Sequence, residues 1–163
     1  MKQKVYAFID SQNLNLGVRA QGWKLDFKEF KVYLTDKLGV SKCYLFIGMV
    51  PGNEKLYRIL QEYGYTLIFK PTLEIRDGSE AVVKGNVDAE LVLHSMIQFK
   101  NYDKAVIITG DGDFHCLLEY LENQGKLGSL IIPNPHKYSS LLRRFRSYSL
   151  FIDKEMRGRL QQK

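Results

Sequence analysis

The chain has little of what marks several common protein classes. Its 163 residues include two cysteines, three histidines, one tryptophan and four prolines. Cys43 and Cys116 stand far apart, with no second cysteine at a metal-binding spacing and no paired histidines, which argues against a zinc site. Cys43 lies in an apolar run of strand character and Cys116 in one of helical character, so both are expected to be small buried residues. No apolar run approaches the ~20 residues of a membrane span. The apolar stretch 5–9 behind the basic start Met1-Lys2-Gln3-Lys4 is too short for a secretory signal and stops at Asp10. The expected location is therefore the cytoplasm, with no membrane partner. Repeats, low-complexity tracts and proline-rich linkers are all missing.

What is present is enough to build a core. Hydrophobic residues make up 45% and aromatics 12% of the chain, and a chain of this size buries roughly two thirds of its unfolded surface. The expected organisation is one domain over 1–153 followed by a basic C-terminal tail over 154–163. Charge is unevenly placed. Residues 137–163 hold eight basic side chains against two acidic ones, while the first 136 balance at 16 of each. A neutral body with a basic end suits a polyanionic partner or, more simply, a solubilising tail.

Along the chain, strand-like and helix-like segments alternate. Short apolar runs at 5–9, 43–50, 65–69, 105–108 and 130–132 have strand character. Between them lie helical patterns. Asp26 opens one that carries Phe27, Phe30, Leu34 and Leu38 and closes at Gly39; another carries Leu56, Ile59, Leu60 and Tyr63 and closes at Gly64. Residues 87–99 form a third, with Leu91, Val92, Met96 and Phe99 on one face, and 114–122 a fourth. A last helix is expected over 139–148, with 150–152 as an edge strand. The stretch 72–83, with Asp77-Gly78 between Leu73, Ile75 and Val82, Val83, reads as a hairpin or long loop able to gate a substrate path. Alternation of this kind implies an α/β fold, a three-layer α/β/α arrangement around a mainly parallel sheet.

In such sheets ligands bind at the carboxyl ends of the strands, and there the sequence places its acids. Asp10 ends the first strand, Asp111 and Asp113 follow the strand ending at Ile108, and Asp88 stands just inside the third helix. Singly each has a plain structural reading: Asp10 as a turn residue, Asp113 as a helix cap, Asp88 as a complement to the helix dipole. Asp111 gains little from capping if Asp113 does it. Massed carboxylates repel unless a cation or protons intervene. A set of oxygen ligands without His or Cys points to Mg²⁺ or Mn²⁺.

Three motifs together resemble a known family. Phe8-Ile9-Asp10-Ser11-Gln12-Asn13, Lys84-Gly85-Asn86-Val87-Asp88 and Thr109-Gly110-Asp111-Gly112-Asp113-Phe114 are similar to the signatures of NYN domains, the LabA-like branch of the PIN-like nuclease superfamily. The resemblance covers roughly residues 5–153. It implies a PIN-like sheet and a metal-dependent ribonuclease that hydrolyses RNA phosphodiester bonds at an acidic cleft. Asp10, Asp88, Asp111 and Asp113 would be its acidic residues and Asn13 its site asparagine, orienting a water or a phosphate oxygen. Asp10, Asp88 and Asp111 would hold Mg²⁺ or Mn²⁺. Lys84 would contact substrate at the mouth, while Arg143 and Arg144 would follow the backbone of a single-stranded RNA. Tyr138 and Tyr148 are further candidates, for stacking on unpaired bases.

One residue departs from the pattern. The family usually carries a second helix acid six residues after the first, where this chain has His94. That departure supports the alternative of a catalytically weak or inactive RNA-binding or regulatory module. A phosphatase of the haloacid-dehalogenase type is disfavoured by Gln12, which stands where its second acid belongs. A flavodoxin-like nucleotide site is disfavoured because no glycine-rich loop follows the first strand. Small α/β domains often pair, so a homodimer is also expected, although no single residue carries that reading.

Overall fold

The computed structural model describes the backbone of residues 2–71, 73–77, 80–84 and 87–163, and side chains outside 72–86. Six parallel strands form the central sheet in the order β3-β2-β1-β6-β7-β8: β3 Tyr65–Pro71, β2 Val40–Met49, β1 Val5–Asp10, β6 Lys104–Ile108, β7 Leu127–Ile132 and β8 Ser149–Phe151. The chain builds outward from β1 in one direction through β2 and β3. It then returns to the other side of β1 through β6, β7 and β8. The strand order therefore reverses between β1 and β6, where Ile9 lies opposite Ile108. At such a switch point the loops leaving two neighbouring strands part and open a crevice.

Every residue of β1 is buried, as a strand covered on both faces requires. Its alternation sorts the core into two layers. Ala7 and Ile9 join Leu14, Val18, Phe30, Leu34 and Leu60 in one cluster, under α1 Ser11–Arg19, α2 Phe27–Leu38, α3 Glu54–Glu62 and α6 Lys154–Leu160. Tyr6 and Phe8 join Leu91, Phe114, Leu118 and Phe145 in the other, under α4 Asp88–Ile97 and α5 His115–Asn123. β4 Leu73–Asp77 and β5 Glu80–Lys84 make a separate antiparallel hairpin. Thus the hairpin expected over 72–83 is present, while its turn at Gly78 lies outside the described residues.

Two helices were not expected from the sequence. α1 follows β1 without a loop because Asp10 caps it, its carboxylate accepting the Asn13 N–H. Its apolar residues Leu14, Leu16 and Val18 alternate like those of a strand, and only Leu14 and Val18 are buried. α6 occupies most of the expected basic tail. Asp153 caps it through the Glu155 and Met156 N–H groups, and Leu160 is buried in the core. Beyond it, Leu25 bridges to Gln161.

Other expectations need correction. Residues Ser140–Tyr148 form 3-10 turns with an irregularity at Phe145; the buried pair Leu142 and Phe145, three apart, suits that tighter period. On α4, Met96 is 37% exposed and Ser95 takes its place inside, donating to the Leu91 carbonyl oxygen. Cys43 is buried, which pushes its thiol up to about 12, but Cys116 is exposed on the outer side of α5.

Candidate metal and nucleic-acid site

Asp10 is the last residue of β1 and only 5% exposed. Besides capping α1 it accepts a hydrogen bond from the fully buried Thr109 hydroxyl, at 3.2 Å. Burial pushes its carboxyl up to about 6; the hydrogen bonds from Asn13 and Thr109 oppose the shift, and the charges of Asp88 and Asp111 add to it. A carboxyl so placed charges most readily with a cation nearby.

The loop after β6 is held from three sides. Asp111 N–H donates to Thr109 Oγ1 at 3.1 Å, Gly110 N–H donates to Asn13 Oδ1 at 2.7 Å, and Ser139 N–H donates to the Gly110 carbonyl oxygen at 3.1 Å. Gly112 has no room for a side chain, since a Cβ there would fall on Ser139. Capping runs opposite to the sequence expectation. Asp111, not Asp113, is the cap: its Oδ1 accepts the Asp113 N–H at 2.9 Å and opens the 3-10 turn Gly112–Phe114. α5 begins without a side-chain cap. The cap engages one Asp111 oxygen, and it fixes the residue's rotamer beside Asp88 and Asp113.

Asp88 is the first residue of α4, where a carboxylate complements the helix dipole. It, Asp111 and Asp113 each present an oxygen, and all three atoms lie within 4.8 Å of one another. The grouping differs from the set Asp10, Asp88 and Asp111 expected from the sequence. Asp113 stands in the group, and Asp10 lies beside it, near enough for both Asp88 and Asp111 to raise its pKa. Three carboxylate oxygens at this spacing fit a hard divalent cation such as Mg²⁺ or Mn²⁺ and do not fit the N/S preference of zinc.

Asp10, Asp88 and Asp111 line a cavity of about 900 Å³, and Asp113 stands outside its lining. Asp10, Gly110 and Asp111 form its floor and Val87 and Asp88 one side. α1 supplies a wall through Gln12, Asn13, Leu16 and Gly17, continued by its C-terminal cap Ala20, all at helical spacing. Asn134, Lys137, Tyr138 and Ser139 supply the wall after β7. Gly17 lets these walls meet, since a Cβ on it would lie 2.6 Å from Pro133 Cβ. A second hollow of about 410 Å³ shares Gln12 and Val87 with the first and carries Arg19 and Lys24.

Asn13 lines the cavity, but its carboxamide oxygen serves the Gly110 N–H, so it positions the loop. The side chain of Lys84 lies outside the described residues, as do Gly85 and Asn86. Arg144 is engaged by Glu119 and Glu122 of α5 at 3.2 and 3.1 Å, and neither it nor Arg143 lines the cavity. His94 packs on the Phe46 ring, with centroids 5.7 Å apart, and stands apart from the acid cluster. Tyr148 packs at the edge of the core, whereas Tyr138 lines the cavity. Gln12, Leu16 and Asn134 were not expected at the site; the signal for the first two was their i, i+4 spacing on α1, whereas Asn134 lies in the loop after β7 and carried none.

Comparisons with known proteins agree with this arrangement. The chain is 28% identical over 121 residues to the low amplitude and bright protein LabA of Synechococcus elongatus; the match covers 70% of this chain and 65% of LabA. The chain thus spans just under two thirds of that relative's length. A crystal structure of a protein of unknown function from Vibrio parahaemolyticus superposes with a TM-score of 0.75 at 23% identity, covering 94% of this chain and 95% of that one; at that identity the likeness establishes the fold. Among the described residues no helix is long and apolar enough to cross a membrane. The NYN domain family model matches residues 4–153, which takes in both strand-end acids and the helix acid between them, and the chain belongs to the NYN domain family.

Proposed function

We propose that the chain is a metal-dependent ribonuclease that hydrolyses phosphodiester bonds of single-stranded RNA in the cytoplasm. The observation that carries this reading is the convergence of Asp88, Asp111 and Asp113 within 4.8 Å, beside buried Asp10, at the switch point between β1 and β6. Family membership supports it, since the NYN family is nuclease-like. A Mg²⁺ or Mn²⁺ ion held there would polarise the scissile phosphate and lower the pKa of a bound water. The protein's part is to hold the ligands still. Thr109 and Asn13 tie the loop after β6 to the end of β1, and the Asp111 cap fixes one ligand. Asp10, whose carboxyl burial lifts to about 6, carries its charge at neutral pH at a cost in stability that a bound cation would offset.

The test is cleavage of a labelled single-stranded RNA. Activity is expected with Mn²⁺ or Mg²⁺, lost in chelator and reduced by at least about 100-fold in Asp111→Asn. Equal cleavage in chelator would overturn the metal mechanism. A second reading, an RNA-binding module without turnover, is favoured by one observation: His94 packs on Phe46 where the family pattern places another acid. Binding without cleavage in any divalent metal would select it.

A further inference from the structure

Neither cation binding nor hydrolysis uses the apolar and aromatic residues on the cavity's two walls. On α1, Leu16 is 56% exposed, although Leu14 and Val18 on either side of it are fully buried. The wall after β7 contributes Lys137 and Tyr138 to the same cavity. That wall is fixed to the acidic loop. Ser139 bonds to Gly110, Gly112 lies against Ser139, and a Cβ on Gly110 would be 3.5 Å from Tyr138 Cβ. Phe151 supports the Tyr138 ring from behind, with centroids 5.6 Å apart. Lys137 is the one cation among the described residues that line the cavity.

These residues answer different parts of a nucleotide. A flat phenol face and an aliphatic side chain both accept a base by stacking or apolar contact, whatever its sequence. An exposed lysine answers a phosphate, whereas the acids Asp10, Asp88 and Asp111 repel one without a cation. Side chains reach base faces only where bases are unpaired. A cavity of about 900 Å³, at the upper end of the ~300–1,000 Å³ of small-ligand sites, has room for more than one nucleotide unit.

We propose that Tyr138 and Leu16 form a stacking slot for an unpaired base of a polynucleotide strand, and that Lys137 contacts a phosphate beside it. The slot makes the cleft selective for single strands. The inference rests on the nuclease reading only for where the scissile phosphate lies.

Binding and cleavage are measured separately. Fluorescence anisotropy of a short labelled oligouridylate, with Ca²⁺ replacing Mn²⁺, is expected to show binding at least about tenfold tighter than to a duplex of equal length. Tyr138→Leu should weaken it by roughly tenfold, while Tyr138→Phe and Tyr138→Trp preserve it. Lys137→Ala should weaken binding and reduce the slope against log salt by about 0.7. Leu16→Ala, at an exposed position, should weaken binding several-fold with an unchanged melting temperature, which covers the case in which Tyr138→Leu does not fold. Unchanged binding in Leu16→Ala and in a folded Tyr138→Leu would overturn the proposal, as would equal binding of duplex. Uridine monophosphate competing as well as the oligomer would overturn the strand and leave a mononucleotide site. Binding that depends on Tyr138 without Mn²⁺ cleavage removes the nuclease reading and keeps the slot; cleavage indifferent to Tyr138 and Leu16 does the reverse.

Discussion

Asp10 shows what a cation site costs a single residue. In the unfolded chain its pKa is that of an ordinary aspartate, near 3.8; in the fold, burial lifts it to about 6. Between those values the folded state binds the extra proton, so stability of the metal-free protein falls as pH rises through that window and stays low above it. Asp10→Asn removes the charge and keeps one acceptor oxygen, for the Asn13 N–H, while its NH2 faces the Thr109 hydroxyl, which turns to accept instead of donate. The variant is expected to be more stable than the parent in chelator by on the order of 1–3 kcal/mol at pH 8, with the advantage gone near pH 3.5. Chemical denaturation at the two pH values measures it; a variant less stable than the parent at pH 8 contradicts the assignment of burial as the cause. Asp111 makes a different point. Its capping bond to Asp113 N–H is ordinary turn chemistry, so the same side chain serves the local fold and the site.

At the scale of elements, much of the architecture was legible because burial and period agree. β1 is wholly apolar up to Asp10, α2 runs from an Asp26 cap to a left-handed Gly39, and the three acidic motifs stand at strand and helix ends. What escaped did so for physical reasons. α1 hides because Leu16 serves the cavity rather than the core, which turns a helical pattern into an apparent alternation. α6 hides because a short basic segment with Gly158 has weak intrinsic helicity and is held by Asp153 and Leu160 instead. The order of caps in the loop after β6 was reversed because composition does not tell which of two aspartates two residues apart faces the free N–H. If α6 is anchored as described, Leu160→Ala should lower stability by about 2–3 kcal/mol, read as a fall in denaturation midpoint. A free tail would leave that midpoint unmoved.

For the molecule as a whole, net charge and working charge part company. The excess of +6 comes from residues 137–163, yet the basic residues there do different things. Lys137 lines the cavity, Arg144 is paired with two glutamates of α5, and Arg157 donates to Gln161 within its own helix turn. A basic end therefore does not amount to a basic binding face. Because the Arg144 pairs are half exposed, Arg144→Ala is expected to destabilise by less than about 1 kcal/mol and to leave affinity for single-stranded RNA unchanged. A loss of affinity like that expected of Lys137→Ala would show that the strand also crosses α5.

The central claim is that this fold gathers a divalent cation between Asp88, Asp111 and Asp113, with Asp10 beside them. Electron paramagnetic resonance of free Mn²⁺, titrated against the protein, tests it without assuming any substrate. The account predicts saturable Mn²⁺ binding by the parent, weakened by at least about tenfold in Asp111→Asn, a change of ~1.4 kcal/mol, and untouched in Asp36→Asn on the exposed side of α2. Mn²⁺ binding of equal strength in the parent and Asp111→Asn would contradict it.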